Sequence, residues 1–203
     1  ARRYFDLAWS YAIKPSRPTL FITAGLIGTG KSTLAEGLAR EMGLAVLSSD
    51  VVRKKLARLG PTERRYEHFE AGIYSQEFTR KTYDELFRQA KELLSKGESV
   101  VLDASFRKAE QRQEARALAI EQGADFRVLE CVSDEAGVKQ RLADRQRRGN
   151  SVSDGRLEIL ADIKGDFEAL TDVPGPEHIV VDTSGEIENT ISQAIKKIVA
   201  GVE

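Results

Sequence analysis

A glycine-rich segment that ends in a lysine and a serine is the part of this sequence best suited to chemistry. Residues 25–32 fit the pattern G-x-x-x-x-G-K-[ST]. Glycines let the backbone curl so that successive N–H groups point at phosphate oxygens, and a following helix adds its positive N-terminal end. Lys31 would then reach the β- and γ-phosphates of a nucleoside triphosphate, and Ser32 would bind Mg²⁺. The predicted nucleotide-binding residues are Gly25, Gly28, Thr29, Gly30, Lys31, Ser32 and Thr33.

Two charged residues follow the second predicted strand. Asp50 ends an extended run, and Arg53 lies about one helical turn further along, so both side chains can face the same side. A carboxylate at that place can accept the proton of an attacking hydroxyl, and an arginine can clamp an acceptor or the transferring phosphoryl group. Asp50 could instead, or in addition, cap the helix predicted over residues 51–59.

Another carboxylate, that of Asp103, follows a wholly apolar run. This is the Walker-B arrangement, in which an acidic group at a strand end holds Mg²⁺ directly or through water. The alternative is that Asp103 caps the next helix, a role that Ser105 could also perform. Ser105 and Arg107 are further candidates for contact with a substrate.

The run 139–149 carries five cations and one anion towards the end of a predicted helix. Lysine and arginine near a helix C-terminus are commonly dipole and solubility features. However, phosphoryl transfer spreads negative charge that arginines stabilise well in a closed site. Arg141, Arg145 and Arg148 recur at helical spacing, and Arg145 and Arg148 are the first candidates for a catalytic role.

Strands and helices alternate along the chain, and this order must position the residues named above. The predicted strands cover residues 19–24, 44–48, 99–102, 126–131 and 178–181. The alternation predicts an α/β fold, a three-layer sandwich in which a parallel five-stranded sheet lies between helices. Ligands of such sheets bind at the carboxyl ends of the strands. The segment 60–76 suits an acceptor pocket, and residues 182–184 could border a nucleotide base or form a simple turn.

The composition favours one compact unit without a bulk attraction to polyanions. The 203 residues are 41% hydrophobic, enough for one good core, and the formal net charge is -1. The lone cysteine, Cys131, lies in an apolar run and is expected to be a small buried thiol. Neither a membrane-spanning stretch nor a signal-peptide pattern is present in the sequence, so we expect a cytoplasmic protein without a membrane partner.

Residues 1–18 differ from the rest of the chain. They contain Tyr4, Phe5, Trp9 and Tyr11 ahead of a proline-flanked break. We interpret them as an N-terminal arm or the remnant of an upstream linker, and residues 19–203 as the nucleotide-binding domain.

Together, residues 25–32, the Asp50-x-x-Arg53 pair, the apolar strand ending at Asp103 and the arginines at 145 and 148 resemble the P-loop kinase superfamily. This superfamily includes polynucleotide 5′-hydroxyl kinases, gluconate kinases, chloramphenicol phosphotransferase and zeta-toxin-like kinases. The resemblance covers nearly all of residues 19–200. It implies a P-loop fold with a helical lid, ATP and Mg²⁺ as cofactors, Ser32 and Asp103 at the metal, Asp50 as base, Arg53 as clamp, and Arg145 or Arg148 as the lid arginine.

In its general sequence pattern the chain is most similar to small ATP-binding modules fused behind an aminoglycoside-phosphotransferase-like domain. Such an upstream domain is the partner that the resemblance implies, and it would explain the aromatic arm. The overall charge is not basic and no basic-aromatic groove is evident, so a nucleic-acid acceptor is less favoured than a small molecule.

Two functions are therefore compatible with the sequence. The first is an ATP-dependent kinase that phosphorylates a hydroxyl of a small molecule or of a nucleic-acid 5′ end. The second is a nucleotide-binding regulatory ATPase module that controls a fused or partner domain. The sequence leaves open the acceptor, the choice between ATP and GTP, and the oligomeric state.

Overall fold

A parallel β-sheet forms the centre of the molecule. The structure is a computed structural model that describes residues 17–60, 63, 70–148 and 157–200. Within these residues the sheet has five strands in the order β2-β3-β1-β4-β5, and every neighbouring pair is parallel. The strands are β1 (Thr19–Ala24), β2 (Ala45–Ser48), β3 (Val100–Asp103), β4 (Asp125–Val132) and β5 (His178–Asp182). The predicted α/β class and parallel sheet are thus confirmed.

Helices connect the strands and cover both faces of the sheet. They are α1 (Lys31–Met42), α2 (Ser49–Leu56), α3 (Gln76–Leu94), α4 (Ala109–Glu121), α5 (Glu135–Arg148), α6 (Leu160–Asp166) and α7 (Ile187–Ala200). Short 3₁₀ turns lie at Gly72–Tyr74, Leu157–Ile159 and Gly175–Glu177. Gly43 ends α1 in the left-handed conformation with φ 69°, as its place after a helical pattern predicts.

The alternation of side chains along β1 divides the core in two. Phe21 packs with residues of α1 and α7 on one face, whereas Leu20 and Ile22 pack with α3 and α4 on the other. All six residues of β1 are buried, as expected for the central strand of a parallel sheet. Because β1 and β3 are neighbours, the loops that follow them come together at one edge of the sheet.

No helix among the described residues is both long enough and apolar enough to span a bilayer. Residues 1–16 of the predicted N-terminal arm lie outside the described part. The last two residues of that arm are tied to the start of β4: Arg17 donates to the Gly123 carbonyl at 2.9 Å, and Asp125 N–H donates to the Pro18 carbonyl at 2.9 Å.

A buried arginine joins α4 to the segment that precedes β5. Arg112 is 1% exposed and forms an ion pair with Asp172 at 2.5 Å. Its guanidinium also donates to the carbonyls of Phe106 at 2.9 Å, Glu168 at 3.3 Å and Ala169 at 3.2 Å. Every bond would be lost together if the guanidinium were removed, because one rigid group makes all of them.

Replacing Arg112 with Met should therefore destabilise the fold by about 3–5 kcal/mol, since it leaves a partly buried carboxylate and three carbonyls without their donor. Chemical denaturation measures this loss. Arg116 provides a matched control on the same helix, because its side chain is 42% exposed in the bidentate pair with Glu177, whereas Arg112 is 1% exposed. Arg116→Met should change the stability little, and equal losses in the two variants would contradict the role given to Arg112.

Candidate active site at the ends of β1, β2 and β3

The glycine-rich loop leads from β1 into α1 through backbone conformations that favour glycine. Gly25, Gly28 and Gly30 have φ values of 135°, 78° and 82°. A Cβ atom at Gly25 would lie 2.5 Å from the Cys131 carbonyl oxygen, which is closer than any side chain can approach backbone. The loop therefore requires glycine at these positions, both for its curvature and for its close contact with β4.

Lys31 folds back across the loop from the first turn of α1. Its Nζ donates to the carbonyls of Gly25 at 3.0 Å and Leu26 at 2.7 Å. Burial lowers the pKa of Lys31 below its usual value, while the charges of Asp103 and Asp50 oppose this shift. An ammonium held in such a poorly solvated place interacts strongly with any anion that enters the loop.

The two predicted magnesium ligands lie together. Asp103 is the last residue of β3 and is 7% exposed. Burial raises the pKa of Asp103, and a hydrogen bond with the Ser32 side chain opposes the rise. Asp103 does not cap a helix, because α4 begins only after Lys108. The described residues contain no cluster of three or more His, Cys, Asp or Glu side chains for a metal, so a cation here would depend on phosphate oxygens as well.

Asp50 lies inside the first turn of α2, not at its N-cap. The N-cap position is occupied by Ser48, and α2 starts at Ser49. Asp50 acts electrostatically on both Lys31 and Asp103, so its carboxylate lies near the phosphate loop and the magnesium ligands. Asp50 therefore does not occupy the N-cap position that the sequence left open for it.

Arg53 occupies a more buried place than a simple clamp would need. It is 6% exposed, and its Nη1 donates to the Ile73 carbonyl at 2.6 Å and to Thr79 Oγ1 at 3.2 Å. The guanidinium also lies 4.8 Å from the centre of the Tyr74 ring. Burial lowers the pKa of Arg53, and Asp50 opposes that shift.

Arg53 thus holds the turn Gly72–Tyr74 and the start of α3 against α2, at the end of the segment 60–76 for which the sequence predicts an acceptor pocket. Its Nε is buried and has no hydrogen-bond partner within the part of the chain that the structure describes. Residues 61, 62 and 64–69 of the predicted acceptor segment, including His68, lie outside the described residues.

A cleft of about 500 Å³ opens beside the phosphate loop. Arg145 of α5 lines it, and the charge of Arg145 also acts on Lys31, so this predicted catalytic arginine lies on the phosphate side of the site. Arg148 ends α5, but its side chain lies outside the described part. Residues from the loop, α1, α5 and the start of α7 line the cleft: Gly28, Gly30, Thr33, Leu34, Arg141, Asp144, Arg145, Thr183, Gly185, Ile187, Thr190 and Ile191.

Two residues connect the phosphate loop to the ends of β4 and β5. Thr183 is buried, and its Oγ1 donates to the Thr29 carbonyl at 2.7 Å. Arg141 donates to the Gly28 carbonyl and to Ser133 Oγ, each at 3.3 Å, and also to the Thr183 carbonyl. The sequence placed Arg141 on the same helical face as Arg145 and Arg148, but the latter two were the first candidates for a catalytic role. For residues 182–184 it allowed either a turn or a contact with the nucleotide base. Thr183 proves to be part of the cleft wall.

The buried cysteine, the histidine at the start of β5 and Arg107 have ordinary structural surroundings. Cys131 is buried, and burial raises the pKa of its thiol to about 12, so it is a neutral buried thiol as predicted. His178 Nε2 lies 2.7 Å from Glu130 Oε2 in a partly buried pair. Arg107 lies in an ion pair with Asp166 at 2.8 Å and is 3.5 Å from Glu70.

These features define the class of the protein. A parallel sheet, a P-loop between β1 and α1 and an acidic residue at the end of the adjacent strand together form an α/β P-loop kinase fold. Solved structures agree: the APS kinase CysC of Mycobacterium tuberculosis, in complex with AMPPNP and APS, has a TM-score of 0.62 at 23% identity over 91% of this chain and 99% of that chain. Kti12 of Chaetomium thermophilum, in complex with ADP-AlF3, has a TM-score of 0.66 at 16% identity over 91% of this chain and 99% of that chain.

Residues 20–170 match the family described as AAA domain, and the chain belongs to that family. An uncharacterised protein of Mycobacterium tuberculosis strain H37Rv is 32% identical over 175 residues, which are 86% of this chain and 34% of that protein. The chain thus spans about a third of the length of the curated relatives that it matches.

Proposed function

We propose that this domain is an ATP-dependent phosphotransferase that moves the γ-phosphoryl group to a hydroxyl, preferably of a small molecule and otherwise of a nucleic-acid 5′ end. The observation that carries the proposal is the position of Asp50. Its carboxylate acts electrostatically on Lys31 of the phosphate loop and on Asp103 at the end of β3, and its helix, α2, is joined through Arg53 to the turn Gly72–Tyr74. A carboxylate at that point has a clear use when a hydroxyl proton must be removed.

The metal site fits the donors that are present. Ser32 and Asp103 offer a hydroxyl and a carboxylate in mutual hydrogen-bonding range, and Asp103 is a buried acid whose negative charge a cation would compensate. These two residues would hold Mg²⁺, which supplies neutralisation of the charge on the β- and γ-phosphate oxygens. Lys31 and the loop N–H groups hold the same phosphates in line for transfer.

The chemical step then needs only one proton acceptor from the chain. Asp50 takes the proton of the acceptor hydroxyl while the hydroxyl oxygen forms a bond to the γ-phosphorus. The bond between this phosphorus and the β–γ bridging oxygen breaks, and ADP leaves with that electron pair. Arg145 stabilises the negative charge that spreads over the transferring group.

We place the nucleoside in the cleft beside the phosphate loop. Its volume of about 500 Å³ suits a ligand of that size, and Leu34, Ile187 and Ile191 give it apolar walls. Thr183 and Arg145 supply polar groups at its border.

The second candidate is a regulatory ATPase module. It is supported by the length of the relatives, of which this chain spans about a third, because the matching region of such a relative stands beside a large additional segment. The upstream phosphotransferase-like domain and the cytoplasmic location stay predictions, as does the assignment of residues 1–18 to an arm.

A transfer screen with γ-labelled ATP separates the two functions. The protein is incubated with Mg²⁺ and with sugars, nucleosides, small hydroxylated antibiotics or 5′-hydroxyl oligonucleotides in separate reactions. We expect label to appear in one acceptor class, most readily among the small molecules. Label that appears only in inorganic phosphate, whatever the acceptor, would contradict the phosphotransferase and favour the regulatory ATPase.

A further inference from the structure

The hydroxyl of Thr183 ties the end of β5 to the phosphate loop. Thr183 directly follows β5 and is 7% exposed. Its Oγ1 lies 2.7 Å from the Thr29 carbonyl oxygen and 2.9 Å from the Val132 carbonyl oxygen. The Val132 carbonyl already accepts the Thr183 N–H at 2.9 Å, and a hydroxyl has only one proton to donate. The shorter contact, with Thr29, is therefore the one that takes this proton.

The surroundings of Thr183 hold its side chain in place for this bond. Its N–H is bound to the end of β4, and its carbonyl accepts a hydrogen bond from Arg141 of α5. A Cβ atom at Gly30 would lie 3.4 Å from the Thr183 Cβ, so the threonine packs directly against this glycine. The hydroxyl is thus a fixed donor at the outer side of the phosphate loop.

The peptide that joins Thr29 to Gly30 is the one that this hydroxyl controls. A trans peptide is planar, so its carbonyl oxygen and its N–H point in opposite directions. Because the Thr29 carbonyl is directed at Thr183, the Gly30 N–H points away from the end of β5. Gly30 is the N-cap of α1, so its N–H precedes the N–H groups at the start of this helix, which the loop pattern directs at phosphate.

The glycine makes this peptide easy to reverse. Glycine adopts positive and negative φ about equally readily, and Gly30 has a φ of 82°. A rotation of the whole peptide, which changes ψ of Thr29 and φ of Gly30, therefore meets little steric resistance. The reversed peptide would present a carbonyl oxygen, with its partial negative charge, where an entering phosphate needs a donor.

We propose that Thr183 is a positioning residue, whose hydroxyl keeps the Thr29 carbonyl outside the phosphate loop and the Gly30 N–H inside it. This inference rests on the nucleotide binding that the proposed function requires, and it concerns the phosphates alone. Loss of the hydroxyl lowers the fraction of molecules whose loop is ready to bind, and the apparent affinity falls by that fraction. The loss should be the same for every polyphosphate, with or without a nucleoside.

Thr183→Val tests the inference, because it removes the hydroxyl and keeps the shape of the side chain beside Gly30. Calorimetric titration gives the Kd for MgATP and for magnesium tripolyphosphate. We expect both Kd values to rise by the same factor, roughly 3- to 10-fold, which is about the worth of one hydrogen bond. Thr183→Ser keeps the hydroxyl and should bind both ligands within about twofold of the wild type. Thr183→Ala also lacks the hydroxyl and gives the same comparison where the valine variant does not fold.

Thr82→Val is the matched control for the loss of a buried threonine hydroxyl. Thr82 is 0% exposed, and its hydroxyl donates within α3 to the Phe78 carbonyl at 2.8 Å. This variant should bind both ligands like the wild type.

The two ligands distinguish the phosphate loop from the nucleoside cleft, which Thr183 also lines. A loss confined to MgATP, with unchanged tripolyphosphate binding, would make Thr183 a contact of the nucleoside and overturn the inference. Equal weakening in Thr183→Ser would overturn it as well, because the hydroxyl would then not be the active group. A wild-type protein that binds neither ligand would overturn the proposed function, whereas a wild type that binds both, with unchanged affinities in Thr183→Val, overturns the inference alone.

Discussion

Replacing Lys31 with Met should weaken MgATP binding by roughly 10- to 100-fold and reduce phosphoryl transfer below detection. The ammonium Nζ lies against the Gly25 and Leu26 carbonyls in a poorly solvated place, where hydrogen bonds to a charged group are worth about 1.5–3 kcal/mol each. Met keeps most of the side-chain length, so the change removes mainly the charge. Equilibrium titration with a fluorescent ATP analogue and the transfer assay measure the two effects.

The stability of the protein without nucleotide should not fall in this variant. Burial lowers the pKa of Lys31, which means that the folded protein disfavours the charged form relative to the unfolded chain. That cost is present at pH values below the unfolded pKa and disappears when the charge is removed. Lys91→Met is the matched control, because Lys91 lies on the exposed side of α3 in a pair with Glu121. Unchanged nucleotide affinity in Lys31→Met would contradict the assignment of the phosphate loop.

The parts of the site that could be predicted from sequence are those in which a local pattern determines the position. The phosphate loop needs glycines with positive φ before a helix, and a short continuous stretch of sequence is enough to recognise this pattern. Asp103 could be placed because carboxyl ends of neighbouring parallel strands meet at one edge, so an acid after an apolar strand must lie near the loop. Each strand begins and ends within one residue of the predicted limits.

Long-range packing explains what the sequence did not indicate. Tyr83 lies in the middle of α3, where its pattern is that of any buried helical residue, and only the fold brings it to the turn after β3. The sequence around Arg112 is typical of a solvent-exposed helical arginine, because its partner, Asp172, lies 60 residues further along the chain. Arg53 was expected to serve as a clamp, and its burial against Ile73 and Tyr74 depends on a turn whose sequence has little periodicity.

Replacing Asp50 with Asn should lower kcat for transfer by about 10²–10⁴-fold, the usual contribution of a general base, and leave MgATP affinity within about twofold. Asn has nearly the same shape and can still accept a hydrogen bond, but it does not take up the acceptor proton. Asp84→Asn makes the same chemical change on the exposed face of α3, where Asp84 pairs with Arg80 at 3.0 Å, and should transfer phosphate like the wild type.

The rate of ATP hydrolysis in the absence of acceptor distinguishes a phosphotransferase from a regulatory ATPase in this variant. If Asp50 serves the acceptor, Asp50→Asn should lose transfer far more than hydrolysis, because the phosphate loop, Lys31 and Asp103 remain intact. If the domain is instead a regulatory ATPase, the variant should hydrolyse ATP as the wild type does, and no acceptor should be phosphorylated by either protein. Full transfer in Asp50→Asn would exclude Asp50 as the base. A rise in the acceptor KM at constant kcat would instead make Asp50 a binding residue, so each outcome assigns this carboxylate a different and measurable role.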